Sequence, residues 1–240
     1  MSTLPSDLLE KIRNAQTVNG IPPSEPMVPY KNIGELLVAQ TEKYEAKPFL
    51  IFYSDEGYRK EYSYRDFFEE VCKTANFLHA SGIQLGDRIA TVSYNHTDTV
   101  IQYFAAFMLG AVVVPINVGE DDERIAYILS NSETKLAFVR DQFVERVKAI
   151  KTKVPSLQTI VQSGKVVYSS LHHFNSEINK HSTRFTPAKQ PSHSDEALIV
   201  YTSGTTGLPK GVALVQYNLL VDAMAIAEWL CSIASDRLRM

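Results

Sequence analysis

Apolar positions in the first third of the chain alternate between the 3.6-residue period of a helix and the two-residue period of a strand. Helical spacing begins after Asn32 and again after Ser63, and both are favourable N-cap residues. Asp66 stands three residues after Ser63, a spacing that predicts a capping box. The second predicted helix ends at Gly82, and one of its faces carries Phe67, Phe68, Val71, Cys72, Ala75 and Leu78.

A hairpin and a weakly patterned lead-in are predicted beside these helices. Segments 49–53 and 58–62 have strand character and flank the turn residues Asp55-Glu56-Gly57. Residues 1–30 predict an extended lead-in that holds a short helix over 7–15, capped by Ser6, before a proline-rich connector. The domain itself is predicted to span residues 31–240.

Strands and helices alternate from residue 88 onward. Strands are predicted at 88–94, 111–116, 135–139, 157–162, 197–201 and 212–215. Helices are predicted at 97–110, from 121, at 141–151, at 169–179 and at 218–230, with Thr97 and Asn218 as N-cap residues. This alternation predicts an α/β fold with a doubly wound, mostly parallel sheet and flanking helices. Segment 181–194 is polar and is predicted to form a loop on the surface.

Composition and charge favour a soluble globular protein. The net charge is −3 and no basic stripe is present, which disfavours nucleic acid as a partner. The stretch 100–116 is the most membrane-like, but it contains Gln102, breaks at Gly110 and is shorter than the roughly 18–20 residues of a bilayer span. With no signal peptide at the amino terminus, we expect a cytoplasmic protein without a transmembrane segment.

Cysteine and histidine positions predict no metal site. Cys72 and Cys231 are the two cysteines of the chain, and they form no CxxC pair, so both thiols are expected to be free in a reducing compartment. The His172-His173 pair has no partner at a ligand spacing, and a position on a surface helix is the simpler interpretation.

The segment with candidate chemistry is YTSGTTGLPKGV, residues 201–212, which follows a predicted strand. Its glycines permit a close approach of backbone N–H groups to a ligand, its hydroxyls donate hydrogen bonds, and Lys210 adds a full positive charge. The candidate phosphate-binding residues are Thr202, Ser203, Gly204, Thr205, Thr206, Gly207 and Lys210. A Gly/Ser/Thr/Pro cluster is usually only a loop. Four hydroxyls within five residues, followed by a lysine, favour phosphate binding here, although Gly211 after the lysine excludes a Walker A loop.

These residues resemble the phosphate loop of the acyl-adenylate-forming superfamily, which includes acyl-CoA synthetases, firefly luciferases and the adenylation domains of peptide synthetases. Three further segments also resemble the family: EYSYRDFFEEV, GDRIA and FMLGAVVVPIN. The resemblance therefore covers roughly residues 30–235, and it is stronger to the CoA-ligase branch of the superfamily. One departure is Gln216, which stands where the family usually has histidine, and this puts an acyl-site role at that position in doubt.

The resemblance implies a ligase that activates a carboxylic acid with ATP and Mg²⁺ and passes the acyl group to CoA. It implies that the phosphate loop binds the β- and γ-phosphates of ATP, and that Lys210 is the candidate catalytic residue. The adenine-binding segment, the magnesium ligands and a mobile carboxy-terminal domain are expected downstream, so the chain is interpreted as an incomplete amino-terminal AMP-binding domain, inactive alone. A non-catalytic fragment or pseudo-enzyme and an adenylation domain that loads a carrier protein are the alternatives. The acid and the oligomeric state are not predicted.

Overall fold

The structure is a computed structural model that describes residues 6–16, 27–54, 57–202 and 207–237. The chain divides into two compact units. The larger comprises Lys31–Leu219, and the smaller comprises Met1–Tyr30 together with Leu220–Met240. The predicted lead-in, residues 1–30, therefore falls in the smaller unit.

Within the described residues the elements follow the predicted alternation. The helices are α1 (Ser6–Gln16), α2 (Ile33–Tyr44), α3 (Tyr64–Ala80), α4 (Thr97–Leu109), α5 (Asp122–Asn131), α6 (Val144–Lys151), α7 (Phe174–Ile178) and α8 (Gln216–Arg237). The strands are β1 (Pro48–Tyr53), β2 (Arg59–Ser63), β3 (Arg88–Val92), β4 (Val112–Ile116), β5 (Leu136–Arg140), β6 (Thr159–Ser163), β7 (His172–His173), β8 (Glu196–Thr202) and β9 (Lys210–Val215). A 3₁₀ turn at Asp141–Phe143 leads into α6.

The predicted doubly wound, mostly parallel sheet is confirmed. Seven strands are ordered β7-β6-β5-β3-β4-β8-β9, and every neighbouring pair is parallel except β8 and β9. Ala90 in β3 lies between Val114 of β4 and Ala137 of β5, and all three side chains are fully buried. Helices cover both faces of the central strands, which explains their continuous apolar sequences. The separate β1–β2 hairpin is antiparallel, as predicted.

Two of the predicted helix caps, Asn32 and Ser63, are confirmed. The Asn32 side chain accepts a hydrogen bond from the Glu35 N–H at 2.8 Å, and Ser63 and Asp66 form a reciprocal capping box. Thr97 is a wrong prediction: it is the first residue of α4, and the N-cap is His96, whose Nδ1 accepts from the Asp98 N–H at 3.1 Å. An imidazole nitrogen can replace the usual hydroxyl because the cap requires only an acceptor at that place.

The predicted helix over 169–179 is the largest disagreement. The His172-His173 pair forms the short strand β7 beside β6 and does not lie on a helix. The reason is the buried side chain of Gln162, whose amide donates to the Tyr168 carbonyl at 2.7 Å and accepts from the Tyr168 N–H at 2.9 Å. These bonds hold the backbone near Tyr168 against β6, so α7 begins only at Phe174.

Cys72 is a free thiol, fully buried in α3, and burial raises its pKa to about 11. It therefore carries little thiolate at neutral pH and acts as a small apolar core residue. In the described part of the chain, no helix is both long enough and apolar enough to cross a membrane.

Candidate functional site

The phosphate-loop sequence connects β8 to β9 at the carboxyl edge of the parallel strands. Thr202 is the last residue of β8 and Lys210 the first of β9, and they are paired across the two antiparallel strands. The Thr202 hydroxyl donates to the Lys210 carbonyl at 3.5 Å. Both residues are exposed, as is Gly207. Ser203, Gly204, Thr205 and Thr206 lie outside the described residues.

A cavity of about 560 Å³ adjoins this loop. It lies at the ends of β3, β4 and β8, and Thr202 and Pro209 form its wall on the loop side. Lys210 is not among its lining residues. The opposite wall carries polar groups from the turns after β3 and β4, among them Asn95, Asn117 and Glu120. Ligands of open α/β sheets bind in crevices at this edge, so the loop and the cavity are together the candidate phosphate site.

The turn after β4 is held in place by Arg146, a residue that sequence reasoning did not single out. Its Nε donates to Asp122 Oδ1 at 2.6 Å and its Nη1 to the Val118 carbonyl at 2.8 Å, and Nη2 also donates to the Glu120 carbonyl. The Glu120 carboxylate accepts from Arg124 Nη1 at 3.0 Å. Because that negative charge is paired, the cavity wall repels an approaching phosphate less than a free glutamate would.

Tyr201 and Gly211 fix the strand pair beneath the loop. The Tyr201 hydroxyl donates to Asn131 Oδ1 at 2.6 Å, and burial raises the pKa of Tyr201, which keeps the hydroxyl protonated. A Cβ at Gly211 would lie 2.9 Å from Ile199 Cγ2 and 3.1 Å from Tyr201 Cζ. Neither Gly207 nor Gly211 has a positive φ. Glycine at 211 is therefore required by close contact and not by backbone conformation.

Gly211→Ala is expected to lower the free energy of unfolding by about 1–2 kcal/mol, because the new methyl group displaces the Ile199 and Tyr201 side chains. Urea denaturation of the chain measures this loss. Gly207→Ala is the matched control, since no described atom lies within 4 Å of its added Cβ. Equal losses in the two variants would show that contact with Ile199 and Tyr201 is not the cause.

Gln216 lies inside the larger unit and has a structural role. It is fully buried; its Oε1 accepts from the Ile33 N–H at 3.1 Å, and its Nε2 donates to the Phe107 carbonyl at 3.2 Å. The side chain thus joins the start of α2 to the end of α4, and it does not line the 560 Å³ cavity. The prediction that Asn218 is the N-cap of α8 is wrong. Asn218 lies in the first turn of the helix, where its Oδ1 accepts a hydrogen bond from the Val215 N–H at 3.0 Å.

No group of three or more His, Cys, Asp or Glu side chains in the described ranges is arranged to hold a metal ion.

The family model described as AMP-binding enzyme matches residues 37–238. A crotonobetaine/carnitine–CoA ligase of Citrobacter koseri is 32% identical over 209 residues, which is 86% of this chain and 40% of that protein. The ligase of the same name from Salmonella paratyphi B is 36% identical over 181 residues, 73% of this chain and 35% of its own.

Solved structures show the same relationship. An anthranilate CoA ligase in complex with anthranoyl-AMP superposes with a TM-score of 0.73 at 26% identity, covering 80% of this chain and 36% of that one. The inhibitor-bound N-terminal domain of FACL13 from Mycobacterium tuberculosis gives a TM-score of 0.66 at 26% identity, over 78% of this chain and 45% of its own. The chain therefore spans about 35–40% of the length of the curated relatives it matches.

Proposed function

The chain belongs to the AMP-binding enzyme family, and we propose that the full-length protein is an ATP-dependent acid–CoA ligase. The observation that carries this proposal is the YTSGTTGLPKGV segment between β8 and β9, whose described residues Tyr201, Thr202 and Pro209 line a cavity at the carboxyl edge of the sheet. The relatives of 32% and 36% identity are named as CoA ligases, which favours CoA over a carrier-protein thiol as the acceptor.

The proposed reaction has two steps. The carboxylate of the acid attacks the α-phosphorus of ATP, the bond from that phosphorus to the bridging oxygen breaks, and an acyl-adenylate and pyrophosphate result. The thiol of CoA, losing its proton, then attacks the acyl carbon, and AMP leaves with the electrons of the acyl–oxygen bond. Both steps depend on positioning and on stabilising negative charge.

The phosphate loop is proposed to hold the leaving pyrophosphate. Lys210 supplies the positive charge, and the hydroxyl and backbone donors come from Thr202, Ser203, Gly204, Thr205, Thr206 and Gly207. The pairing of Thr202 with Lys210 supports this assignment, because it sets the two ends of the loop side by side. Each charge-assisted hydrogen bond contributes about 1.5–3 kcal/mol, so several together hold a triphosphate with its Mg²⁺. A reducing, cytoplasmic setting is part of the proposal and suits the free thiol of Cys72.

ATP–pyrophosphate exchange tests the proposal. The assay is run on this chain and on a version extended to the length of its relatives, with crotonobetaine, carnitine, anthranilate and a series of fatty acids as candidate substrates. Exchange with one of the acids in the extended protein is expected, followed by formation of its CoA thioester. Absence of exchange in both proteins would favour the non-catalytic alternative, and acyl transfer to a carrier protein but not to CoA would favour the carrier-loading one.

A further inference from the structure

β8 is the strand that leads to the phosphate loop, and its pairing with the parallel part of the sheet is short. It pairs with β9 at every residue from Leu198 to Thr202, and β3 pairs with β4 at every position of both strands. β4 and β8, which both lie wholly within the described residues, pair only at Val113 and Leu198. The two strands therefore separate after one pairing, while each remains paired with its other neighbour.

The strands separate at Pro115, a residue of β4 that has no backbone N–H to donate. The β3–β4 ladder continues through the pairs Thr91–Pro115 and Val92–Ile116, which requires the position of the missing N–H to face away from β3. Successive residues of a strand direct their backbone groups to alternate neighbours, so Val113 and Pro115 both face β8. Val113 makes the one pairing with β8, and at the next position that faces β8 the donor is absent.

The 560 Å³ cavity beside the phosphate loop adjoins the separated ends of these two strands. Pro115 and Ile116 line it from β4, and Val200, Tyr201 and Thr202 line it from β8. All five residues follow the single pairing of the two strands. Strands that pair along their whole length lie about 4.8 Å apart, which leaves no room for a ligand between them. The cavity in its present form therefore depends on the break in the ladder.

Side-chain contacts hold β8 in its separated position. Ile199 and Tyr201 pack against the buried cluster that contains Val114 and Ile116 of β4. The Tyr201 hydroxyl donates to Asn131 Oδ1 at 2.6 Å, which joins the strand to the end of α5. The carboxyl half of β8 is therefore fixed by packing and by a side-chain hydrogen bond, in place of the backbone bonds that β3 and β4 exchange.

Proline removes a ladder hydrogen bond, so within sheets it is found mainly on edge strands. β4 is an internal strand, with β3 on one side and β8 on the other. We propose that Pro115 is a positioning residue for the candidate site: because it lacks an N–H, it keeps β8 away from β4 and keeps the cavity open. The role of the cavity in this proposal rests on the proposed ligase function, whereas the cause of the strand separation does not.

Amide hydrogen exchange in this chain, measured by NMR, tests whether the missing N–H separates the strands. Pro115→Ala and Pro115→Val both restore the donor, and the new amide at position 115 is expected to be protected from exchange at least about 100-fold, as a hydrogen-bonded strand amide is. Alanine and valine differ in size, so an effect shared by both variants comes from the N–H and not from a side chain that fills the cavity. An unprotected amide at position 115 in both variants would overturn the proposal.

The consequence for the site is measured by ATP–pyrophosphate exchange in the protein extended to the length of its relatives. Both Pro115 variants are expected to raise the KM for ATP about tenfold and to change kcat less than about threefold, because the cavity narrows while the reacting groups are unchanged. Pro155→Val is the matched control for loss of a proline. Pro155 is exposed in the turn between α6 and β6, and its variant is expected to keep the parent KM and kcat.

The outcomes that contradict the positioning role and the ligase function differ. A parent value of the KM for ATP in variants whose amide at position 115 is protected would show that strand separation does not serve the site, and would overturn the proposal. Absence of exchange with every acid in the extended parent protein would instead contradict the ligase function, and the positioning role with it.

Discussion

Lys210→Ala is expected to slow the adenylate-forming step of the extended protein about 100-fold, because one full charge opposite the leaving pyrophosphate is lost. The later transfer to CoA is expected to change less than about threefold, since pyrophosphate has left by then. Lys210 is exposed at the start of β9, so the substitution leaves the core intact. Single-turnover rates measure the two steps separately, the first with ATP and acid and the second with preformed acyl-adenylate and CoA.

A matched lysine variant controls for loss of general surface charge. Lys180→Ala removes an exposed lysine that pairs with Glu177 on α7, and both half-reactions are expected to stay at the parent rate. Equal losses of the two steps in Lys210→Ala would mean that Lys210 supports the fold of the loop or both transition states, and would contradict a role specific to pyrophosphate.

Gln216→Ala is expected to lower the free energy of unfolding by about 2–4 kcal/mol. The substitution leaves the Ile33 N–H and the Phe107 carbonyl without their buried partner, and each unsatisfied group costs about 1–3 kcal/mol. The urea midpoint of the chain reports the change. Gln158→Ala, at an exposed position, is the control and is expected to stay within about 0.5 kcal/mol of the parent.

The Gln216 result also bears on function. If the side chain joins α2 and α4 as the structure shows, the variant loses stability whichever acid is the substrate. A variant of parent stability that had a changed preference among acids would instead place Gln216 at the acyl site, and would contradict the structural role.

Local sequence determined most of the secondary structure. The caps at Asn32, Ser63 and Asp121 are formed by side chains that reach the backbone three residues on, so they depend only on neighbours in the chain. The same holds for the β1–β2 hairpin and for the left-handed Gly110 that ends α4. The alternation of buried strands and amphipathic helices was sufficient to predict the parallel sheet.

Two of the wrong predictions involve partners that are distant in the sequence. Helix 169–179 is shortened because Gln162, on the neighbouring strand, holds the backbone of Tyr168. The cap of α4 moved to His96, whose ring also packs against Phe52 in the hairpin. Neither partner is visible in the local pattern, since propensity describes a segment alone and tertiary contacts override it.

By itself, the sequence determined the fold class, the family resemblance and the composition of the phosphate loop, because these depend on local period and on an uninterrupted motif. Only the tertiary structure showed that Gly211 lies under the Tyr201 ring and that Gln216 joins two helices. Each of these contacts joins residues on different elements. Their geometry is set by the packing of the sheet and helices, which a linear pattern does not contain.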